Sequence, residues 1–113
     1  METINRNIHM LIQSVKKSSV YKEYRLQEQI LNQNQELAQR VRQFRSENFC
    51  LQNEEDRGRM FQLADKLSRE SAELRRNPQV NAYLDAELAL CRMMQRICRM
   101  LTEGIEMDIP PLG

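Results

Sequence analysis

The residues able to do chemistry are few and widely spaced. His9 is the single histidine, beside the apolar positions of the first helical segment. A Ser-His-Asp or Cys-His arrangement needs a nucleophile aligned on an imidazole, and no G-x-x-x-x-G-K or G-x-G-x-x-G loop is present to cradle a phosphate. Catalysis is not expected, and His9 reads as an ordinary surface or core residue. Cys91 and Cys98 are seven residues apart. That spacing gives them one heptad position, about 10 Å apart along a helix axis. Metal–thiolate bonds are about 2.3 Å long, so one straight helix cannot grip a single ion with both. A cluster would need Cys50 brought alongside, or thiolates from a neighbouring chain. Taken alone, the cysteines read as small buried hydrophobes, and Met93, Met94 and Met100 as adaptable packing.

The charged and polar candidates say more. Arg92, Arg96 and Arg99 stand at i, i+4 and i+7, with Arg75 and Arg76 ahead of them. Such a row reads as a solvated face partly paired to Glu103; an anion- or RNA-binding stripe is the alternative. Asn48, Glu87 and Gln95 fall on or beside apolar faces. A buried Glu is costly unless paired. Glu87 with Arg45, Asn48 and Gln95 is therefore expected to form a buried polar network that fixes helix register, as a polar a-position does in coiled coils.

Helices must carry all of these groups. Ile4, Ile8, Leu11, Ile12 and Val15 mark one face of a first helix. Ser18 or Ser19 can cap a second, short helix holding Val20, Tyr24 and Leu31. Asn34 is placed as the cap of a third, whose Leu37, Val41, Phe44, Asn48 and Leu51 alternate spacings of four and three. The polar run Glu54 to Gly58 is either a loop or an exposed stretch of helix. A turn near Gly58 is preferred, because the stripe restarts as Met60, Ala64, Leu67, Ser71 and Leu74. Asn77-Pro78 is a cap followed by proline at the first helical position. From there Val80, Leu84, Glu87, Cys91, Met94, Cys98, Leu101 and Ile105 run through a helix of about 26 residues, roughly 39 Å long. Gly104 is expected to cap it, and Asp108-Ile109-Pro110-Pro111 to form a tail.

Composition agrees with an all-α fold. The chain has 113 residues, 41% hydrophobic and 29% charged, with three Gly, three Pro and no Trp. So few turn-formers argue against an all-β fold, and Leu, Gln, Glu, Arg, Met and Ala are good helix formers. Only six aromatics and a mean hydropathy of −0.69 are meagre for a self-sufficient core. The net charge is +1, thirteen of the seventeen cations being Arg, so no strong field marks a nucleic-acid or membrane partner. No apolar run approaches the ~18 residues of a membrane span. The first ten residues do not read as a signal peptide, and an odd cysteine count points to a reducing cytoplasm.

The order of several short motifs resembles the YlbF/YmcA (YheA/YmcA/YlbF) family of small Firmicute regulators. They are Ser19-Val20-Tyr21-Lys22-Glu23-Tyr24, then Asn34-Gln35-Glu36-Leu37 followed by Phe44-Arg45, then Asn77-Pro78-Gln79-Val80 leading into the long helix. The similarity covers roughly Ile8 to Ile105. It implies an all-α, oligomeric protein with no catalytic activity of its own. It also implies work with related family members and a PSP1-domain protein, in a complex supporting competence, sporulation, biofilm formation and RNase Y-dependent RNA processing. No resident cofactor is expected; that complex is linked to iron–sulfur clusters held by cysteines, for which Cys91 and Cys98 are the candidate thiolates here.

The resulting expectation is one helical domain over 1–113. Short N-terminal helices occupy 1–34. A first hairpin arm spans 35–76, broken near 54–58, and a long C-terminal helix spans 77–105, with a tail at 106–113. The two arms form a long antiparallel, coiled-coil-like hairpin. Tyr83, Leu90, Met93, Ile97 and Met100 widen the stripe of the last helix beyond a narrow seam. Val80, Tyr83, Leu84, Leu90, Met94, Ile97 and Leu101 are accordingly expected to meet a second chain. The function expected is that of a non-enzymatic, cytoplasmic regulatory adaptor. The alternatives are RNA binding by the Arg stripe and iron–sulfur or redox sensing by cysteine.

Overall fold

The computed structural model describes residues 1–106 and contains five α-helices, with no strand among them. They are α1 Glu2–Lys17, α2 Ser19–Asn32, α3 Gln35–Gln52, α4 Arg57–Leu74 and α5 Pro78–Gly104. The tail expected from Asp108 onward lies outside the described residues.

Local hydrogen bonds explain each boundary. The Ser18 hydroxyl donates to Val15 O at 2.6 Å and accepts from Tyr21 N–H at 3.2 Å, so one side chain closes α1 and opens α2. Asn34 Oδ1 accepts from Leu37 N–H at 3.1 Å. Asn77 Oδ1 accepts from Gln79 and Val80 N–H at 2.9 and 3.4 Å, with Pro78 in the first turn where its missing donor costs nothing. Arg75 Nη1 reaches forward to Asn81 Oδ1 at 2.7 Å and clamps the α4–α5 turn. Replacing Asn77 by Ala should lower the unfolding free energy by about 1 kcal/mol, with Asp or Ser restoring most of it. Urea denaturation of the three variants checks this, and an unchanged Ala variant would show the cap to be idle.

Two boundaries differ from the sequence expectation. The turn after α3 lies at 53–56 rather than at Gly58, which sits in the first turn of α4. Asp56 is the reason: its carboxylate accepts from Arg59 N–H at 3.1 Å and starts the helix ahead of the glycine. Gly104 is the last residue of α5 rather than its cap. The left-handed backbone falls two residues later, at Glu106 with φ 54°.

The hairpin also differs. The segment 35–76 is not a single arm; it folds back on itself, with α3 and α4 packed against each other. Ion pairs give the register. Arg40 meets Glu73 at 3.5 Å and Glu47 meets Lys66 at 3.0 Å. A step of seven residues forward in α3 is thus a step of seven backward in α4, an antiparallel pairing.

The chain divides into two compact units, residues 25–84 and residues 1–24 with 85 onward. The first unit has a core. Leu31 of α2, Leu37, Ala38, Val41 and Phe44 of α3, Leu67 and Leu74 of α4, and Val80, Tyr83 and Leu84 of α5 are all buried. In the second unit Ala86 is the single buried residue among those described, and α1 buries none of its side chains.

Candidate functional site

The coreless unit carries most of the exposed large apolar side chains among the described residues. On α1 the helical series Ile4, Ile8, Leu11 and Ile12 is exposed over one face, while Arg6, Lys16 and Lys17 lie off it. On α5 beyond Asp85, Leu88, Met94, Met100 and Leu101 are exposed, with Ile105 following, and Leu90, Met93 and Ile97 are half-buried between them. Isolated exposed hydrophobes are ordinary on a protein surface; runs at helical spacing mark a face that another molecule covers.

The expected interface residues therefore divide. Leu90, Met94, Ile97 and Leu101 stay outward or half-covered. Val80, Tyr83 and Leu84 are a correction: they lie in the chain's own core, because the start of α5 packs within the unit formed by 25–84. The expected buried network is also corrected, since no polar or charged residue is buried among the described ones. Arg45 and Gln95 are exposed, Glu87 is half-buried, and Asn48 Nδ2 donates to Phe44 O of its own helix at 3.2 Å.

Polar chemistry concentrates elsewhere, in an open groove of about 470 Å³ along α3 and α4. Its lining includes Arg40, Gln43 and Glu47 of α3 and Asp65, Lys66, Arg69, Glu70 and Glu73 of α4. The Lys66 ammonium bonds Glu47 Oε1 and holds that carboxyl below the usual glutamate range; the same contact raises Lys66. Burial, with the neighbouring Glu47 charge, pushes Glu70 up. The seven-residue spacing of Arg40 and Glu47, mirrored by Lys66 and Glu73, is the signal that could have revealed this groove. It becomes readable only once the turn at 53–56 sets the pairing.

The remaining candidates are surface groups. Arg92, Arg96 and Arg99 are all exposed, and no ion pair joins Arg99 to Glu103 among the described residues. His9 is exposed on α1. Cys50, Cys91 and Cys98 are free and exposed, not buried as small hydrophobes. An iron–sulfur cluster needs converging thiolates. No group of three or more His, Cys, Asp or Glu placed to hold a metal occurs among the described residues. With Cys91 and Cys98 two turns apart on one helix, a single copy of the chain does not fit such a cluster.

No helix of the described residues is long and apolar enough to cross a membrane. Fold and surface together define an all-α protein whose largest features are amphipathic helical faces rather than a cluster of reactive groups. The chain belongs to the YlbF/YmcA family, whose model, described as control of the competence regulator ComK, matches residues 4–106. A UPF0342 protein from Desulfitobacterium hafniense (strain Y51) is 26% identical over 117 residues, spanning 98% of this chain and 90% of that protein. No solved structure matches the chain. The family is a regulatory one.

Proposed function

We propose that this chain is a non-enzymatic regulatory adaptor that acts by docking other protein chains on the exposed apolar faces of α1 and of α5 beyond Asp85. One observation carries the reading: that unit buries a single alanine among its described residues while presenting two helical faces of Ile, Leu and Met. Desolvating those side chains supplies affinity at about 25 cal/mol per Å² of apolar surface. The flanking charges, Arg6, Lys16 and Lys17 on α1 and Arg92, Arg96 and Arg99 on α5, select among partners. Copies of the chain, related family members and a PSP1-domain protein are the partners this reading implies. The processes served are competence, sporulation and biofilm formation, through RNase Y-dependent RNA processing, all in the cytoplasm.

Size-exclusion chromatography with light scattering, followed by pull-down of defined family members and the PSP1-domain protein, tests this. A mass of two or more protomers, or stoichiometric co-elution with one of those proteins, is expected. A strict monomer that captures none of them overturns it. The exposed spacing of Arg92, Arg96 and Arg99 favours RNA binding as the second reading. RNA affinity falling steeply as salt rises, with a slope reduced by an Arg96→Ala substitution, would support that reading over the first.

A further inference from the structure

The groove along α3 and α4 contains a charge problem that its own residues can solve. Arg40, Lys66 and Arg69 face Glu47, Asp65, Glu70 and Glu73, so the lining is one negative charge in excess when every carboxyl is ionised. Arg69 is taken by Asp65 at 2.8 Å and Arg40 by Glu73 at 3.5 Å, which leaves Lys66 as the cation on Glu47. Lys66 reaches Oε1 alone, and the Gln43 amide beside it also favours the ionised Glu47 carboxyl. Glu47 Oε2 is buried and receives no hydrogen bond, an arrangement that native proteins rarely leave unresolved.

Glu70 sits one turn beyond Lys66 on α4, half-buried in the same groove, with its side chain against that of Glu47. We propose that Glu47 and Glu70 share one proton across the groove, carried by Glu70 and donated to Glu47 Oε2, making the α3–α4 hairpin a pH-responsive element. One proton makes the lining neutral and satisfies the orphaned oxygen together. Two carboxyls at one site cannot both ionise freely, so one holds its proton to higher pH. The environment decides which: the Lys66 ammonium holds Glu47 low, while burial and the Glu47 charge push Glu70 up.

The direction of the pH dependence follows from linkage. Stability contributed by Glu70, whose folded value is raised, is complete below the ordinary glutamate range and is lost as pH rises through the raised value. Stability contributed by Glu47, whose folded value is lowered, is complete above the ordinary range and is lost as pH falls through the lowered value. Lys66, raised, keeps its contribution until alkaline pH. The hairpin is therefore tightest in mildly acid solution and loosens toward neutrality on account of Glu70. No loss of structure is required, only a weaker tie between α3 and α4.

The experiment is a carbon-detected NMR titration of the glutamate side-chain carboxyls in the full chain, with thermal melts of wild type and Glu70→Gln. Glu70 is expected to titrate above the ordinary glutamate range, and Glu47 to report a second inflection at the same pH. The amide of Glu70→Gln donates to Oε2 at every pH. Its Tm should rise relative to wild type as pH climbs from the ordinary glutamate range through the raised Glu70 value. Glu70 titrating within the ordinary glutamate range, or melts of the two proteins running parallel as pH rises above it, overturns the proposal. The titration is made on wild type, so it decides the matter even if the variant fails to fold.

Discussion

Leu74→Ala should remove about 2–5 kcal/mol from the unfolding free energy, a large share of the whole. Leu74 is 2% exposed and among the largest fully buried side chains, with Val41 and Val80. It closes α4 just before the clamped turn into α5, so the space it vacates is bordered by rigid helix ends and cannot readily collapse. A domain of this size holds about 5–15 kcal/mol in total. Its described core is ten residues within 25–84 and one alanine outside, which places it toward the lower end. Urea denaturation followed by far-UV circular dichroism measures the loss. A cost under about 1 kcal/mol would show that Leu74 is not part of a packed core.

The second large effect falls on assembly and leaves stability alone. Ile8→Asp with Leu101→Asp places a carboxylate on each exposed apolar face; Ile8 is 47% and Leu101 58% exposed. Substitutions at exposed positions usually change stability by no more than about 0.5 kcal/mol, so the melting curve should hardly move. Association should weaken at least tenfold, because a charge buried against apolar anchors must be desolvated without a partner. Val80→Asp is the contrasting control. Val80 is 0% exposed, so a charge there should unfold the chain rather than release a partner. Light scattering and partner titration, beside thermal melts, separate the outcomes. An Ile8/Leu101 variant that associates like wild type would remove these faces from the function.

The sequence was informative wherever the deciding interaction is local. Asn34, Asn77 and Ser18 each bond a backbone N–H three residues on or nearer, so their identity and position alone place a helix start. The polar break after α3 was visible, but its position was not. Glycine is a sound stop signal, yet Asp56 two residues earlier supplies a cap, and the helix accepts Gly58 in its first turn. The cysteines show the converse limit. Their residue type favours burial, but a heptad position is buried only if something lies against it, and Cys91 and Cys98 are both exposed.

The candidate faces were half readable for the same reason. Periodicity correctly put Val80, Leu84, Met94 and Leu101 on one stripe of α5, and it could not divide that stripe. Val80 and Leu84 complete the chain's own core, while Met94 and Leu101 remain outside. The polar residues Arg45, Asn48, Glu87 and Gln95 were expected to be buried, and none is, because periodicity marks a face without saying how much of it is covered. The groups that do meet, Glu47 and Lys66, are nineteen residues apart in the chain and come together through the reversal at 53–56.

By itself the sequence determined five helices, most of their ends and the family, because helix formation and capping are settled within a few residues of the chain. Only the tertiary structure decided which helices pair, which apolar residues are left for another molecule, and that Glu47 and Glu70 face one groove. Those outcomes depend on how a turn directs one helix back along another, and that direction is a property of the whole packing arrangement rather than of any local pattern.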